Sequence, residues 1–293
     1  MQAAPLIEPD WREGGGFHTL SHGRAFYRRE GPAHGVPIVL VHGATVPSWE
    51  FDALVPPLLE AGFQTLRFDL YGHGLSDRPR GDYGFDRFAR QLAEIIEASD
   101  FPRPAVLLGH SFGAALVAEL AATRPNWVSG AVLVTPMLDF SSGTRWSKFF
   151  RYPGIGEIVM ELFGVPALVR RRRRRYRHIG MPHLTARFIE QVGYTGYSRA
   201  LLSMFRAGAL GDQASRYASL CATRPELLVI TGEQDAIIPA LHVAKIRSLL
   251  PTHQHLALAA EHNLLLTHPE AVVRALAEWC GARPAENDPA QAT

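Results

Sequence analysis

The 293-residue sequence is poor in cysteine, carries almost no excess charge and lacks a long uninterrupted hydrophobic run. Its two cysteines, Cys221 and Cys280, exclude a disulfide framework and a four-cysteine zinc site, and two buried thiols in a reducing compartment are expected. Thirty Lys and Arg against 28 Asp and Glu leave a formal charge of +2, which is no footprint for nucleic acid. The longest apolar stretch near mid-chain, Ile158 to Val169, is broken by Glu161, Gly164 and Pro166. It falls short of the ~20 residues a transmembrane helix needs. The N-terminal Met1-Gln-Ala-Ala-Pro5 has no basic start leading into an apolar segment, so no secretory signal is visible. The expectation is a soluble, cytoplasmic protein, with its oligomeric state unspecified. No P-loop, GxGxxG, His-Glu-x-x-His or solenoid repeat occurs, and the histidines and carboxylates show no ligand spacing. Neither a metal nor a cofactor is implied.

What is present is a core. Hydrophobic residues make up 47% and charged residues 20% of the chain, the balance of a globular α/β protein. Val36–Val41 is a nearly unbroken apolar run, as a strand buried on both faces should be. Gln64–Asp69, Ala105–Leu108, Ala131–Val134 and Leu227–Ile230 repeat that pattern, and His255–Leu258 is a candidate last strand. Helical spacing lies between them. Phe51–Ala61 carries Leu54, Val55, Leu58 and Leu59 on one side, Phe85–Ser99 carries Phe88, Leu92, Ile95 and Ile96, and Pro269–Cys280 closes the series. Such alternation predicts a mostly parallel sheet with helices on both faces.

The alternation breaks between about Leu138 and Thr223, where the pattern is helical, with Ile155, Ile158, Val159, Leu162 and Phe163 at i, i+3, i+4, i+7 and i+8. Lying between two sheet strands, this stretch is expected to be a helical insertion over one end of the sheet. The predicted organisation is core at 17–137, cap at 138–223, core again at 224–281 and a disordered tail at 282–293. Charge is uneven along this plan. From Arg145 to Arg187 eleven Lys and Arg face two Glu, so that stretch carries +9 and the remainder −7. Arg170–Arg175 are six arginines in a row. Successive residues point all the way round a helix, so they cannot all line one pocket. A solvated helix is the plain reading, and steering of an anionic substrate or contact with an anionic membrane surface are the functional ones.

The chemistry concentrates in Gly109-His-Ser-Phe-Gly113, directly after one strand and before the helical pattern Ala114–Thr123. A nucleophile raised at the top of a sheet needs a sharp strand-to-helix turn. Flanking glycines let neighbouring backbones approach where a Cβ would clash. The helix start also sets backbone N–H groups and a positive dipole end beside the Ser111 hydroxyl. A serine at its free pKa is a poor nucleophile and requires a base.

With Val41-His-Gly-Ala44, Asp69-Leu-Tyr-Gly-His-Gly-Leu-Ser-Asp77 and Thr231-Gly-Glu-Gln-Asp-Ala-Ile-Ile-Pro239, and with His262 before Pro269-Glu270, the chain resembles the α/β-hydrolase superfamily from about Gly23 to Cys280. The order Ser, Asp, His matches that family. The resemblance implies an α/β-hydrolase fold and a triad in which Ser111 attacks a carbonyl, His262 moves its proton and Asp235 holds the imidazole. The backbone N–H groups of Ala44 and Phe112 would form the oxyanion hole. Rivals are His268 for the base and Asp139 for the acid. His42 and His110 are expected to orient loops, and Asp69, Gly72, Gly74 and Asp77 to form a turn. Tyr71, Trp49 and Trp146 are candidate pocket walls. The implied activity is cofactor-free hydrolysis of a small-molecule carboxylic ester through an acyl-enzyme (carboxylesterase-like, EC 3.1.1). Cleavage of a carbon–carbon or lactone bond in an anionic substrate stands as an alternative, and a receptor-like ligand-binding protein with slow turnover as another. Ser111 argues against the dehalogenases and epoxide hydrolases that use Asp at that position.

Overall fold

The computed structural model describes residues 14–140, 147–150 and 152–281. Trp146 and the tail expected to be disordered, 282–293, lie outside the described residues. Eight strands form one sheet in the order β1-β2-β4-β3-β5-β6-β7-β8. The strands are β1 (Gly16–Leu20), β2 (Gly23–Glu30), β3 (Val36–Val41), β4 (Phe63–Phe68), β5 (Ala105–His110), β6 (Val128–Val134), β7 (Leu227–Gly232) and β8 (Gln254–Leu258). β1, β2 and β4 pair antiparallel, and from β4 through β3, β5, β6 and β7 to β8 every pairing is parallel. The antiparallel strands β1 and β2 are not apolar runs. β1 alternates partly buried and exposed positions, and β2 carries Arg24, Arg28 and Arg29.

The parallel strands read as apolar because both their faces are covered. Val39, Val41, Leu107, Leu133 and Val229 belong to one core, and Ile38, Leu40, Val106, Leu108, Val132, Val134 and Ile230 to the other, the period-2 split of a pleated strand. Helices α1 (Val55–Glu60) and α12 (Pro269–Cys280) supply the second core with Val55, Leu58, Val272 and Leu276. Helices α2 (Phe85–Ala98) and α3 (Phe112–Thr123) supply the first with Phe88, Leu92, Phe112 and Leu116. α1 is shorter than the helix expected over Phe51–Ala61. Ser48–Phe51 is a 3₁₀ turn, and α1 begins immediately ahead of Pro56 and Pro57, which lack the N–H a helix interior requires.

Between β6 and β7 the chain runs through α4 (Ser147–Phe150), α5 (Ile155–Val159), a π-helical turn (Met160–Gly164), α6 (Val165–His178), α7 (Leu184–Gly193), α8 (Tyr197–Arg206) and α9 (Ala214–Thr223). α10 (Ala240–Leu249) and the short α11 (Leu264–Thr267) follow β7 and β8. α9 packs on α3 and belongs with the core layer, whereas α6 and α7 pack on each other. Trp49, Tyr176, Leu184, Phe188 and Leu266 form a separate small core that seats α6 and α7 on the loops at the carboxyl ends of the strands. Two backbone hydrogen bonds close the base of the inserted stretch, Phe140 N–H to Leu210 O at 2.9 Å and Gln213 N–H to Leu138 O at 2.8 Å.

The two cysteines are free, and Cys221 is exposed, so the expected pair of buried thiols does not form. Among the described residues no helix is long and apolar enough to cross a membrane.

Candidate active site

Ser111 sits in the turn between β5 and α3 with φ +54° and ψ −111°, a strained backbone for a residue with a Cβ. The turn closes because of its glycines. A Cβ on Gly113 would lie 2.1 Å from the Val41 carbonyl oxygen, and one on Gly109 would lie 2.3 Å from the Gly113 carbonyl oxygen. The Ser111 N–H donates to Val134 O at 2.9 Å, and its carbonyl accepts from the N–H groups of Ala114 and Met137 at 3.1 and 3.2 Å. The strain is therefore held by both neighbouring strand ends.

Asp235 follows β7 and His262 follows β8, so both lie at the same edge of the sheet as Ser111, where open α/β sheets place their sites. His262 Nδ1 and Asp235 Oδ2 are 2.7 Å apart. The other oxygen of Asp235 accepts the N–H groups of Ile237 at 2.7 Å and Ile238 at 3.0 Å. Burial works against the Asp235 carboxylate, but the His262 bond and these N–H donors outweigh it and hold its pKa below the usual range. Burial is also the largest influence on His262. Together with the charges of His110 and Arg172 it overrides the pull of Asp235, and the pKa drops to about 4. With Asp235 occupying Nδ1, the neutral ring leaves Nε2 free to accept a proton.

Ser111 and His262 line one cavity of about 270 Å³, together with Gly43, Ala44, Thr45 and Glu50. The two side chains share no hydrogen bond, a contact that is often long in enzymes before the reacting complex forms. Ala44 lies at the cavity and Phe112 opens α3, where the first N–H has no acceptor inside the helix. Among the described residues no hydrogen bond uses the N–H of Ala44 or Phe112. The opposite wall is apolar, with Met137, Phe150, Met160, Leu201, Phe205 and Ile237. Tyr71 and Trp49, weighed as pocket walls, are buried elsewhere: the Tyr71 hydroxyl donates to Gly23 O, and Trp49 packs beside Tyr176.

The loop histidines do orient backbone. His42 Nε2 accepts the Leu70 N–H at 2.8 Å, which leaves the Nδ1–H to donate to Gly43 O at 2.7 Å. Asp69 fixes the turn that follows β4 by accepting the Ser48 and Leu75 N–H groups at 2.9 and 2.8 Å, and a Cβ on Gly74 would meet its Oδ2 at 1.9 Å. His268 is the cap of α12 and shares a hydrogen bond with Thr267 Oγ1. Asp139 is not among the residues lining the cavity.

Glu50 was not legible as a site residue. It is buried beside the cavity, accepts the Gly43 N–H at 3.0 Å and faces His110 Nδ1 at 3.1 Å. The other ring nitrogen, His110 Nε2, lies 3.2 Å from the His262 carbonyl oxygen. Burial alone would lower the His110 pKa, but the Glu50 charge and two acceptors outweigh it, so the value is raised. Both ring nitrogens face acceptors, which suits the imidazolium. The one signal in sequence was a lone carboxylate between Trp49 and Phe51.

The arginine run divides by helix face. Arg171, Arg172 and Arg175 line the cavity, Arg171 while still exposed to solvent, whereas Arg170, Arg173 and Arg174 are exposed and do not line it. Arg175 pairs with Glu261 at 2.7 Å, next to His262, and Arg172 donates to the Thr45 hydroxyl. Among the described residues no group of three His, Cys, Asp or Glu could hold a metal ion.

The family described as alpha/beta hydrolase fold matches residues 36–269, and the chain belongs to it. A non-heme chloroperoxidase of Streptomyces lividans is 28% identical over 272 residues, 87% of this chain and 95% of the relative. A haloalkane dehalogenase of Mycobacterium marinum is 31% identical over 139 residues, 45% of this chain and 46% of that protein. Among solved structures, the enol-lactonase from Burkholderia xenovorans LB400 superimposes with a TM-score of 0.75 at 18% identity, covering 91% of this chain and 100% of the other.

Removing the Glu50 carboxylate would leave His110 Nδ1 and the Gly43 N–H buried without their acceptor. Glu50→Ala is therefore expected to cost about 1–3 kcal/mol of stability in urea unfolding, beyond the effect of an exposed carboxylate change such as Glu60→Ala.

Proposed function

We propose that the protein is a serine hydrolase that cleaves a small-molecule carboxylic ester through an acyl-enzyme, with Ser111, His262 and Asp235 as its triad. The supporting observation is the Asp235–His262 contact at the rim of a cavity that Ser111 also lines. A bound ester would bring its carbonyl carbon to Ser111 Oγ. Neutral His262 takes the hydroxyl proton through Nε2, and the imidazolium so formed is stabilised by Asp235 behind it. The tetrahedral oxyanion is met by the N–H groups of Ala44 and Phe112, each worth about 2.7–4 kcal/mol in the transition state. His262 then returns the proton to the departing alcohol, and water repeats the sequence on the acyl-enzyme. No metal or cofactor enters these steps. Of residues 138–223, the part ahead of α9 acts as the cap that shapes the pocket, over a core formed by 17–137 and 224–281 to which α9 adds a helix.

A second reading, hydrolysis of an anionic carbon–carbon or lactone substrate by the same triad, is favoured by one feature. Among the described residues, three guanidinium groups face the cavity and its one lining carboxylate, Glu50, already pairs with His110. Arg171 makes neither an ion pair nor a hydrogen bond among the described residues, and its neighbours Arg172 and Arg175 repel it electrostatically. On this reading Arg171→Ala raises KM at least tenfold for a carboxylate-bearing substrate relative to a neutral one, and an equal change for both removes it.

Ser111→Ala and His262→Ala should each abolish turnover of a short aryl ester and leave the circular dichroism melt in place. Asp235→Asn should lower kcat by about 10⁴-fold by favouring the wrong tautomer. A fluorophosphonate should label the wild type at Ser111; absence of both labelling and ester hydrolysis would overturn the assignment.

The pH profile carries a separate expectation. A base must be neutral to act, and burial favours the neutral ring, so the acid limb moves down with the His262 pKa. For a neutral ester, kcat/KM should stay level from pH 7 to about 5 and fall only near pH 4. A midpoint at the ordinary histidine value of about 6.5 would contradict the buried environment described for His262.

A further inference from the structure

α5, the π-helical turn and α6 follow one another without a break, so Ile155 to His178 is one continuous helical rod. Its inner side carries Met160, Gly164, Leu168, Arg171, Arg172 and Arg175 over the cavity. Its outer side has two halves. In the first, Ile155, Ile158 and Leu162 are 52%, 59% and 63% exposed, with Tyr152 just ahead of the rod at 59%. In the second, Arg170, Arg173, Arg174 and Arg177 are exposed, and none of them pairs with a carboxylate among the described residues. The positions 155, 158, 162, 170, 173, 174 and 177 fall on one side of a helical wheel, opposite the cavity-facing set. The two carboxylates of the rod stand off this side: Glu157 is held by Arg206, and Glu161 accepts from Ser198 Oγ.

Apolar exposure is concentrated here. Of the eight large apolar side chains exposed among the described residues, five lie between Tyr152 and Phe163. Phe163, 52% exposed, also lines the cavity, so this patch borders its opening. An apolar patch beside a row of guanidinium groups without carboxylate partners combines the two attractions that hold a protein on a membrane surface, buried apolar area and cationic charge.

We propose that the outer side of the rod docks on an anionic lipid surface, with Ile155, Ile158 and Leu162 entering the acyl boundary and Arg170, Arg173, Arg174 and Arg177 meeting lipid phosphates. Charge complementarity selects this occupant. A second copy packed antiparallel would set arginines against isoleucines, and one packed parallel would set arginines against arginines; either arrangement buries cations without partners. A bilayer supplies both halves at once, hydrocarbon and anionic headgroups, and docking would bring the cavity mouth at Phe163 to the membrane.

The test is flotation of the purified full chain with vesicles of phosphatidylcholine alone or mixed with phosphatidylglycerol, at about 0.1 M and 0.5 M salt. The expected result is partitioning onto the phosphatidylglycerol vesicles, weakened at the higher salt and at least tenfold poorer on neutral ones. Arg173→Gln/Arg174→Gln should weaken it by about fivefold for each guanidinium removed. Ile158→Gln/Leu162→Gln should abolish it, and both variants, altered only at exposed positions, should keep the wild-type melt. The proposal is overturned if the wild type stays with the soluble fraction, if it floats equally on neutral vesicles, or if sedimentation equilibrium shows a dimer that Ile158→Gln/Leu162→Gln dissociates. Flotation reads no catalysis, so it is independent of whether the ester reading survives.

Discussion

One buried carboxylate ties together the loops on which the site rests. Glu50 reaches the backbone of the loop after β3 through Gly43, and the end of β5 through His110, whose other nitrogen faces the carbonyl of His262. Those are the three segments that carry Ala44, Ser111 and His262. An ion pair in a dry environment is a weak source of net stability, because desolvation offsets most of its attraction. Its geometric effect is different. Donors and acceptors that have no alternative partners can be satisfied in one arrangement only, so the loops are fixed relative to one another before any substrate arrives.

Electrostatics in the cavity follow from the same burial. His262 with its pKa pushed down to about 4, Asp235 with its pKa lowered and His110 with its pKa raised coexist within a few side chains because each has a different set of partners. His262 is buried, with the nearby charges of His110 and Arg172 acting in the same direction, and it loses its proton easily in spite of Asp235. Asp235 is surrounded by donors and keeps its charge. Such a division of pKa values between neighbouring titratable groups is the arrangement that general acid–base chemistry requires.

Much of this was legible in the sequence where the determinants are local. Gly109, Ser111 and Gly113 specify their turn within five residues, and the parallel strands declare themselves as apolar runs because both faces are covered. The antiparallel strands β1 and β2 were not legible, since only Ala25 and Phe26 among their positions are fully buried and their arginines dilute the pattern. The Glu50–His110 pair joins residues sixty positions apart, and no spacing rule reaches that far. Six consecutive arginines carry no period, so which of them turn inward depended on the packing of Tyr176 against Trp49. The apolar row of Ile155, Ile158 and Leu162 shows the reverse case. Its helical period was plain, but a period shows that residues share a side and not whether protein covers it.

The neck of the insertion has a consequence for how such a protein can diversify. Phe140 and Gln213 donate to Leu210 and Leu138 across it, so the two chain segments leave and rejoin the sheet side by side. Everything threaded between them leaves and re-enters at one narrow base, and beyond that base it is held to the core by side chains, as Tyr176 is beside Trp49, and not by pairing with the sheet. Helices there can be recruited, trimmed or exchanged as a cassette, altering what the pocket admits while the machinery underneath stays the same.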